Sequence, residues 1–240
     1  MTFTLELVEW GKSALDLINH TKELDPNVPA VLHIRHSERP QMELQKHAFK
    51  MALSERGEKA SIEFGVQLPV NRNYSFYHTD IDRTQMTAKK IQQGIQYNGG
   101  ASEIVGEIPL FSFLDYEEAG KILREMKIED DELRARTVFY RWLSGIYPPW
   151  IIKPSLDFSQ FGASLMMKNL REAECDDFHV WVSHENWVAA FLMHWLGEWS
   201  FEWIPFLDGF ILQFYDDHIV SFFRGKKKKL NYPYWWNFPK

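Results

Sequence analysis

Residues 30–34, Ala-Val-Leu-His-Ile, make a nearly continuous apolar run just after Asp25, Pro26, Asn27 and Pro29. A strand covered on one face alternates apolar and polar residues, whereas a run this uniform suits a strand buried on both. Helices must then cover both sides of the sheet, and the rest of the chain can supply them. Asn73–His78, Glu103–Ile108 and Phe178–Val182 read as further strands. Helical spacing follows Ser54, a candidate N-cap, and then Asp82, and covers about 157–173 and 186–197, the last ending at Gly197. Alternating strands and helices predict an α/β fold: a three-layer sandwich with a mostly parallel central sheet flanked by helices.

The flanks extend that single domain of residues 1–240. Leu5, Val8, Leu15, Leu17 and Ile18 predict an amphipathic N-terminal helix to about residue 22, within a helical extension over 1–28. The charged stretch within about 108–155 reads as a helical insertion over one end of the sheet. Phe210–Tyr215 and His218–Phe223 flank Asp216-Asp217 and predict a C-terminal hairpin. Residues 224–240 form a basic and aromatic tail. Its Lys226–Lys229 run reads as a solvated charge run, with an acidic-lipid tether or a steering patch as the functional alternative. Its Tyr and Trp residues are expected to pack back on the domain or to make a homodimer contact.

Composition narrows the chemistry. With 27 Lys and Arg against 33 Asp and Glu, the net charge of −6 gives no case for nucleic-acid binding, so an anion site must be a local gathering of Arg and His. Cys175 is the only cysteine, which excludes an intramolecular disulfide and a Cys-built zinc site and suits a cytoplasmic setting. No apolar segment reaches the roughly 20 residues of a membrane span, and the N-terminus lacks a signal-peptide pattern. No stable membrane association is expected.

Three of the expected strands end in similar residues: Arg35-His36-Ser37-Glu38-Arg39, His78-Thr79-Asp80-Ile81-Asp82-Arg83, and Ser183-His184-Glu185-Asn186. Ligands of open α/β sheets collect at the carboxyl ends of strands, so these three turns are expected on one face. Arg offers a planar fork matched to phosphate oxygens, imidazole can attack near neutral pH, and a carboxyl can protonate a leaving alkoxide. His33/His36 and His179/His184 also invite a metal reading. No Cys or carboxylate cluster completes a shell in the sequence, so neither a metal nor an organic cofactor is expected.

These residues carry a family resemblance. Arg35-His36-Ser37-Glu38-Arg39 resembles the Arg-His-Gly-x-Arg signature of the histidine phosphatase superfamily, which is phosphoglycerate mutase-like in fold. Thr79-Asp80-Ile81-Asp82-Arg83-Thr84 resembles the Thr-Asp-x-Asp-Arg-Thr segment of its acid phosphatase branch. Ser183-His184-Glu185 is similar to the family's late His-acid motif, and Leu53-Ser54-Glu55-Arg56-Gly57 to its Leu-Thr-x-x-Gly helix start. The resemblance spans residues 31 to about 197 with the motifs in order. It implies a phosphatase acting on a phosphorylated small molecule. His36 would become the phosphohistidine, Arg35, Arg39, Arg83 and His184 would hold the phosphoryl oxygens, and Glu185 would be the acid. In the mutase-like branch the donor follows the third strand, which makes Glu117 or Glu118 the alternative. A mutase-like phosphotransferase and a non-catalytic anion-binding module remain as other readings. Ser37 departs from the usual Gly, and Pro40 directly follows Arg39, one place earlier than the family's proline.

Overall fold

A computed structural model describes residues 4–40, 51–109, 115, 117–118, 120–121, 126, 128–198 and 203–236. Its centre is a seven-stranded sheet in the order β3-β2-β4-β1-β5-β6-β7. Strands β1 (Ala30–Arg35), β2 (Asn73–His78), β3 (Ala101–Glu107) and β4 (Asp177–Ser183) are parallel. Strands β5 (Gly209–Phe214), β6 (Ile219–Phe223) and β7 (Lys226–Leu230) continue the sheet antiparallel on the far side of β1.

All six residues of β1 are buried, as its apolar run requires. Ala30, Leu32 and Ile34 enter one core with residues of α2 (Gly11–Thr21), α3 (Glu55–Gln67) and α4 (Asp82–Tyr97). Val31 enters the other, with α5 (Asp131–Leu143), α6 (Ser155–Leu170) and α7 (Glu185–Leu196). The two-residue period of a strand thus separates two helical layers. The second core is aromatic: Phe191 stacks on Trp195 with centroids 4.1 Å apart, and Phe158 lies 4.5 Å from Trp187.

The expected caps form. Ser54 Oγ accepts from Gly57 N at 3.0 Å at the start of α3, and Gly197 ends α7 in the left-handed region at φ 61°. Two details differ from expectation. The N-terminal helix breaks into α1 (Thr4–Leu7) and α2, with Gly11 pressed so closely on the carbonyl of Leu5 that no Cβ would fit. The hairpin gains a third strand, because Lys226–Lys229 are the exposed residues of edge strand β7. Lysines on a free edge discourage pairing with another chain, so the run is both solvated and structured. The tail packs back on the domain: Trp236 is buried against Trp195 and Phe214, with centroids at 5.4 and 5.8 Å. No helix among the described residues is long and apolar enough to cross a membrane.

Candidate active site

The sheet register brings the three motif turns together. Arg35 on β1 lies opposite Ser183 on β4, and Val182 on β4 opposite His78 on β2, so the three strands end level. The pairing runs one residue further, where His36 N donates to Ser183 O at 2.9 Å. His36, Thr79 and His184 therefore emerge side by side.

His36 is buried, and its Nδ1 lies 2.7 Å from Ser37 O. A carbonyl only accepts, so Nδ1 carries the proton and Nε2 keeps a lone pair. Arg83 Nε donates to that Nε2 at 2.9 Å, and Arg83 Nη2 donates to His184 Nδ1 at 3.2 Å. His184 must then carry its proton on Nε2, which donates to Thr79 Oγ1 at 3.1 Å. The Thr79 hydroxyl passes the chain to Thr84 Oγ1 at 2.9 Å, and Thr84 donates to the carbonyl of Ile81 at 2.7 Å. Thr79 and Thr84 lie within a motif read for its arginine, and their position beside it was the signal available for this supporting role.

Arg35 is buried. Its Nη1 donates to Ile204 O at 2.6 Å, and its Nε lies 3.1 Å from Glu185 Oε2, an ion pair whose angle falls short of a hydrogen bond. The Phe206 ring lies under its guanidinium, 4.3 Å from Cζ. Arg39 is half-buried and donates to Pro40 O at 3.0 Å. It is close enough for its charge to act on Arg35, Arg83, His184 and Glu185.

Burial and the surrounding cations set the protonation states. Burial, then Arg83, His184 and Arg35, hold His36 well below the usual histidine range. Burial, Arg83, Arg35 and Arg39 do the same for His184. Both are neutral near pH 7, as their shared donor Arg83 requires. Burial, with smaller effects of neighbouring charges, lowers Arg83 to about 10. Burial alone would raise Glu185, but Arg35, a backbone N–H, Arg83 and Arg39 outweigh it and keep the carboxyl below its ordinary value.

Ser37 does not stand in the left-handed region, so the turn after His36 has no need of the usual glycine. Its hydroxyl donates to Gly57 O at 2.8 Å, and its backbone N–H donates to Thr87 Oγ1 at 3.0 Å. The close approach is made at Gly57 instead, which packs on the carbonyl of Glu38. Glu38 pairs with Arg56, and its Oε2 accepts from Ser54 Oγ at 2.7 Å. His78 Nδ1 lies 2.7 Å from Thr79 O, a local bond at the strand end.

Glu117 and Glu118 make local contacts. Their backbone N–H groups donate to Asp115 Oδ1 at 3.0 Å, and their carboxylates pair with Lys121 at the surface. His36, His184 and Glu185 do converge, with one ligand atom of each within 4.8 Å of the others. Glu185, expected as the acid, thus lies beside both histidines, and the sequence reading that no carboxylate joins a histidine cluster is corrected. Three guanidiniums around this point favour an anion over a metal ion.

Comparison with solved structures bears on the architecture. A phosphoglycerate mutase of Bacillus anthracis superposes with a TM-score of 0.51 at 14% identity, covering 87% of this chain and 94% of the mutase. The fold is the phosphoglycerate mutase-like one. The YhfR protein of Bacillus stearothermophilus shares this phosphoglycerate mutase-like fold, with a TM-score of 0.50 at 14% identity over 85% of this chain and 96% of its own. A mycobacterial glucosyl-3-phosphoglycerate phosphatase superposes with a TM-score of 0.48 at 15% identity over 85% and 99% of the two chains. No protein-family model matches the sequence, and no curated protein matches it significantly.

Proposed function

We propose that the protein is a histidine phosphatase that hydrolyses a phosphomonoester of a small molecule through a phosphohistidine on His36. The observation that carries this reading is the state of the His36 ring. With Nδ1–H committed to Ser37 O, the unprotonated Nε2 faces Arg83, and Glu185 and His184 lie within 4.8 Å. A nucleophilic lone pair, a cationic cradle and a carboxyl group share one point.

In this mechanism the phosphoryl oxygens take the donors of Arg35, Arg39, Arg83 and His184, and Arg83 leaves the His36 nitrogen for the substrate. Nε2 attacks phosphorus and the ester P–O bond breaks. The leaving alkoxide takes a proton from Glu185. The arginines keep that carboxyl below its ordinary value, so the proton arrives with the substrate monoanion, whose charge repels the carboxylate and raises its affinity for a proton. Water then attacks the phosphohistidine, Glu185 accepts its proton, and inorganic phosphate leaves with His36 restored. Positioning and charge stabilisation supply most of the rate in such transfers.

Quenching in alkaline detergent during turnover of a radiolabelled phosphomonoester tests the reading. Label should appear on the protein as an acid-labile, base-stable phosphate and be lost in His36→Ala. Transfer of the label to a second hydroxyl compound instead of water would identify a mutase. Phosphate binding without turnover of any phosphomonoester in a broad panel would identify a binding module.

A further inference from the structure

The segment Trp203–Asp208, just before β5, carries the least expected features of the described chain. Leu207 is fully buried yet lies in the left-handed region at φ 54°, as does Arg224 at φ 45°; these are the described non-glycine residues with positive φ. A non-glycine residue held there costs about 1 kcal/mol or more, so its surroundings must impose it. Asp208 is fully buried. Its Oδ2 accepts from Arg224 Nη2 at 2.8 Å and Nε at 3.1 Å, and its Oδ1 accepts from Gly209 N at 2.9 Å. Arg224 Nη2 also donates to Trp203 O at 3.1 Å, so one guanidinium ties both ends of the segment to the β6–β7 turn. Gly209 presses on the carbonyl of His33 with no room for a Cβ, holding the segment against β1.

The strap so anchored meets Arg35 three times. Asp208 O accepts from Arg35 N at 2.9 Å, Ile204 O accepts from Arg35 Nη1 at 2.6 Å, and the Phe206 ring lies 4.3 Å from Arg35 Cζ. Phe206 also contacts the rings of Trp10 in the N-terminal segment and of His36, with centroids 5.7 and 5.9 Å away. Backbone, head group and flat face of one arginine are all fixed by a six-residue loop.

We propose that the Trp203–Asp208 strap positions Arg35, with Phe206 as a positioning residue that sets the plane in which Arg35 meets an anion, and with the Asp208–Arg224 pair as its anchor. Arginine binds oxyanions through a planar fork, so the angle of the plane decides whether two donors reach the ligand or one. Removing the ring leaves the charge in place and lets the fork rotate. This proposal rests on the anion-binding half of the reading above, without requiring turnover.

A double-mutant cycle in sulfate affinity tests it, using wild type, Phe206→Ala, Arg35→Ala and the double variant, with Phe206→Tyr as the conservative replacement and thermal unfolding measured alongside. Phe206→Ala should weaken sulfate about five- to tenfold, a loss within the range of a partly desolvated cation–π contact. Arg35→Ala and the double variant should bind equally weakly, and Phe206→Tyr should bind as wild type does. Additive losses would overturn the proposal, as would an unchanged affinity in Phe206→Ala or wild type that binds no sulfate. A coupled cycle in a protein that hydrolyses nothing would leave the strap standing and remove the phosphatase reading.

Discussion

Arg83 Nε donates to His36 Nε2 at 2.9 Å, so the guanidinium rests on the nitrogen that the proposed chemistry needs. Its Nη2 reaches His184 Nδ1 at the same time. One side chain thereby orders both imidazoles, and an arriving anion has to draw it away. A lysine ammonium is a compact point charge and cannot span the two rings with a fixed fork. Arg83→Lys should therefore lower kcat by about 10²-fold, near the loss of one preorganised donor. Steady-state kinetics on a phosphomonoester check this, and a kcat within threefold of wild type would count against a fork-dependent role.

The tautomer of His184 leads to a pH dependence. Its Nε2–H is committed to Thr79 Oγ1, so Nδ1 faces the cradle without a proton. To donate to an anion it must become an imidazolium. Burial and three arginines hold it well below the usual range, and a bound dianion raises it. The bound state then holds the extra proton, so affinity rises as pH falls through the bound-state pKa, by up to about tenfold per pH unit for one proton. Sulfate keeps its charge over the working range, so calorimetry in buffers of different ionisation enthalpy isolates the uptake. About half a proton is expected at the bound-state pKa, approaching one between the free- and bound-state values. Thr79→Val should weaken the binding about two- to tenfold, the worth of one hydrogen bond, while Thr79→Ser retains it.

What the sequence reveals of this fold and site follows from how far each feature depends on local pattern. The uniform burial of Ala30–Ile34 shows as an apolar run, and level strand ends place Arg35-His36, Thr79 and His184 together once the sheet is parallel. The Phe206–Arg35 contact joins residues 171 positions apart through an irregular loop that has no period, so nothing local announces it. Four successive lysines look the same in solvent and on an edge strand, because the exposed residues of an edge strand face no demand to be apolar. The mobility of a turn is usually read from glycine, yet at Ser37 the backbone is ordinary and the close approach falls on Gly57.

Gly57 offers a stability test tied to that turn. A Cβ at this position would overlap the carbonyl oxygen of Glu38, which also accepts from Ser54 N at 3.0 Å. The obstacle is backbone on both sides, so a flexible side chain cannot yield. Gly57→Ala should destabilise by about 1–3 kcal/mol, the usual cost of overpacking, and should displace the segment behind His36. Urea unfolding and kcat measured together should both fall. Gly99→Ala is the control, since its Cβ would meet nothing within 4 Å, although φ 82° still imposes strain.

The proton donor separates by leaving group. Glu185 Oε2 lies 3.1 Å from Arg35 Nε, and its carboxylate is grouped with His36 and His184, whereas Glu117 and Glu118 pair with Lys121 at the surface. A general acid matters most when the departing alkoxide is basic and least when it is a stable phenolate, because only the former needs a proton as the P–O bond breaks. Glu185→Gln should therefore reduce turnover of an alkyl phosphate by about 10²–10⁴-fold, the range for a positioned acid. Its effect on formation of the phosphohistidine from p-nitrophenyl phosphate should be at least tenfold smaller. Because Glu185 also serves as the base in dephosphorylation, the comparison requires the burst of nitrophenolate before steady state. Glu117→Gln and Glu118→Gln should leave both substrates unaffected. Equal losses of phosphohistidine formation in Glu185→Gln for the two leaving groups would reduce Glu185 to a partner of Arg35, and an alkyl-selective loss in Glu117→Gln or Glu118→Gln would move the acid to the segment that follows β3.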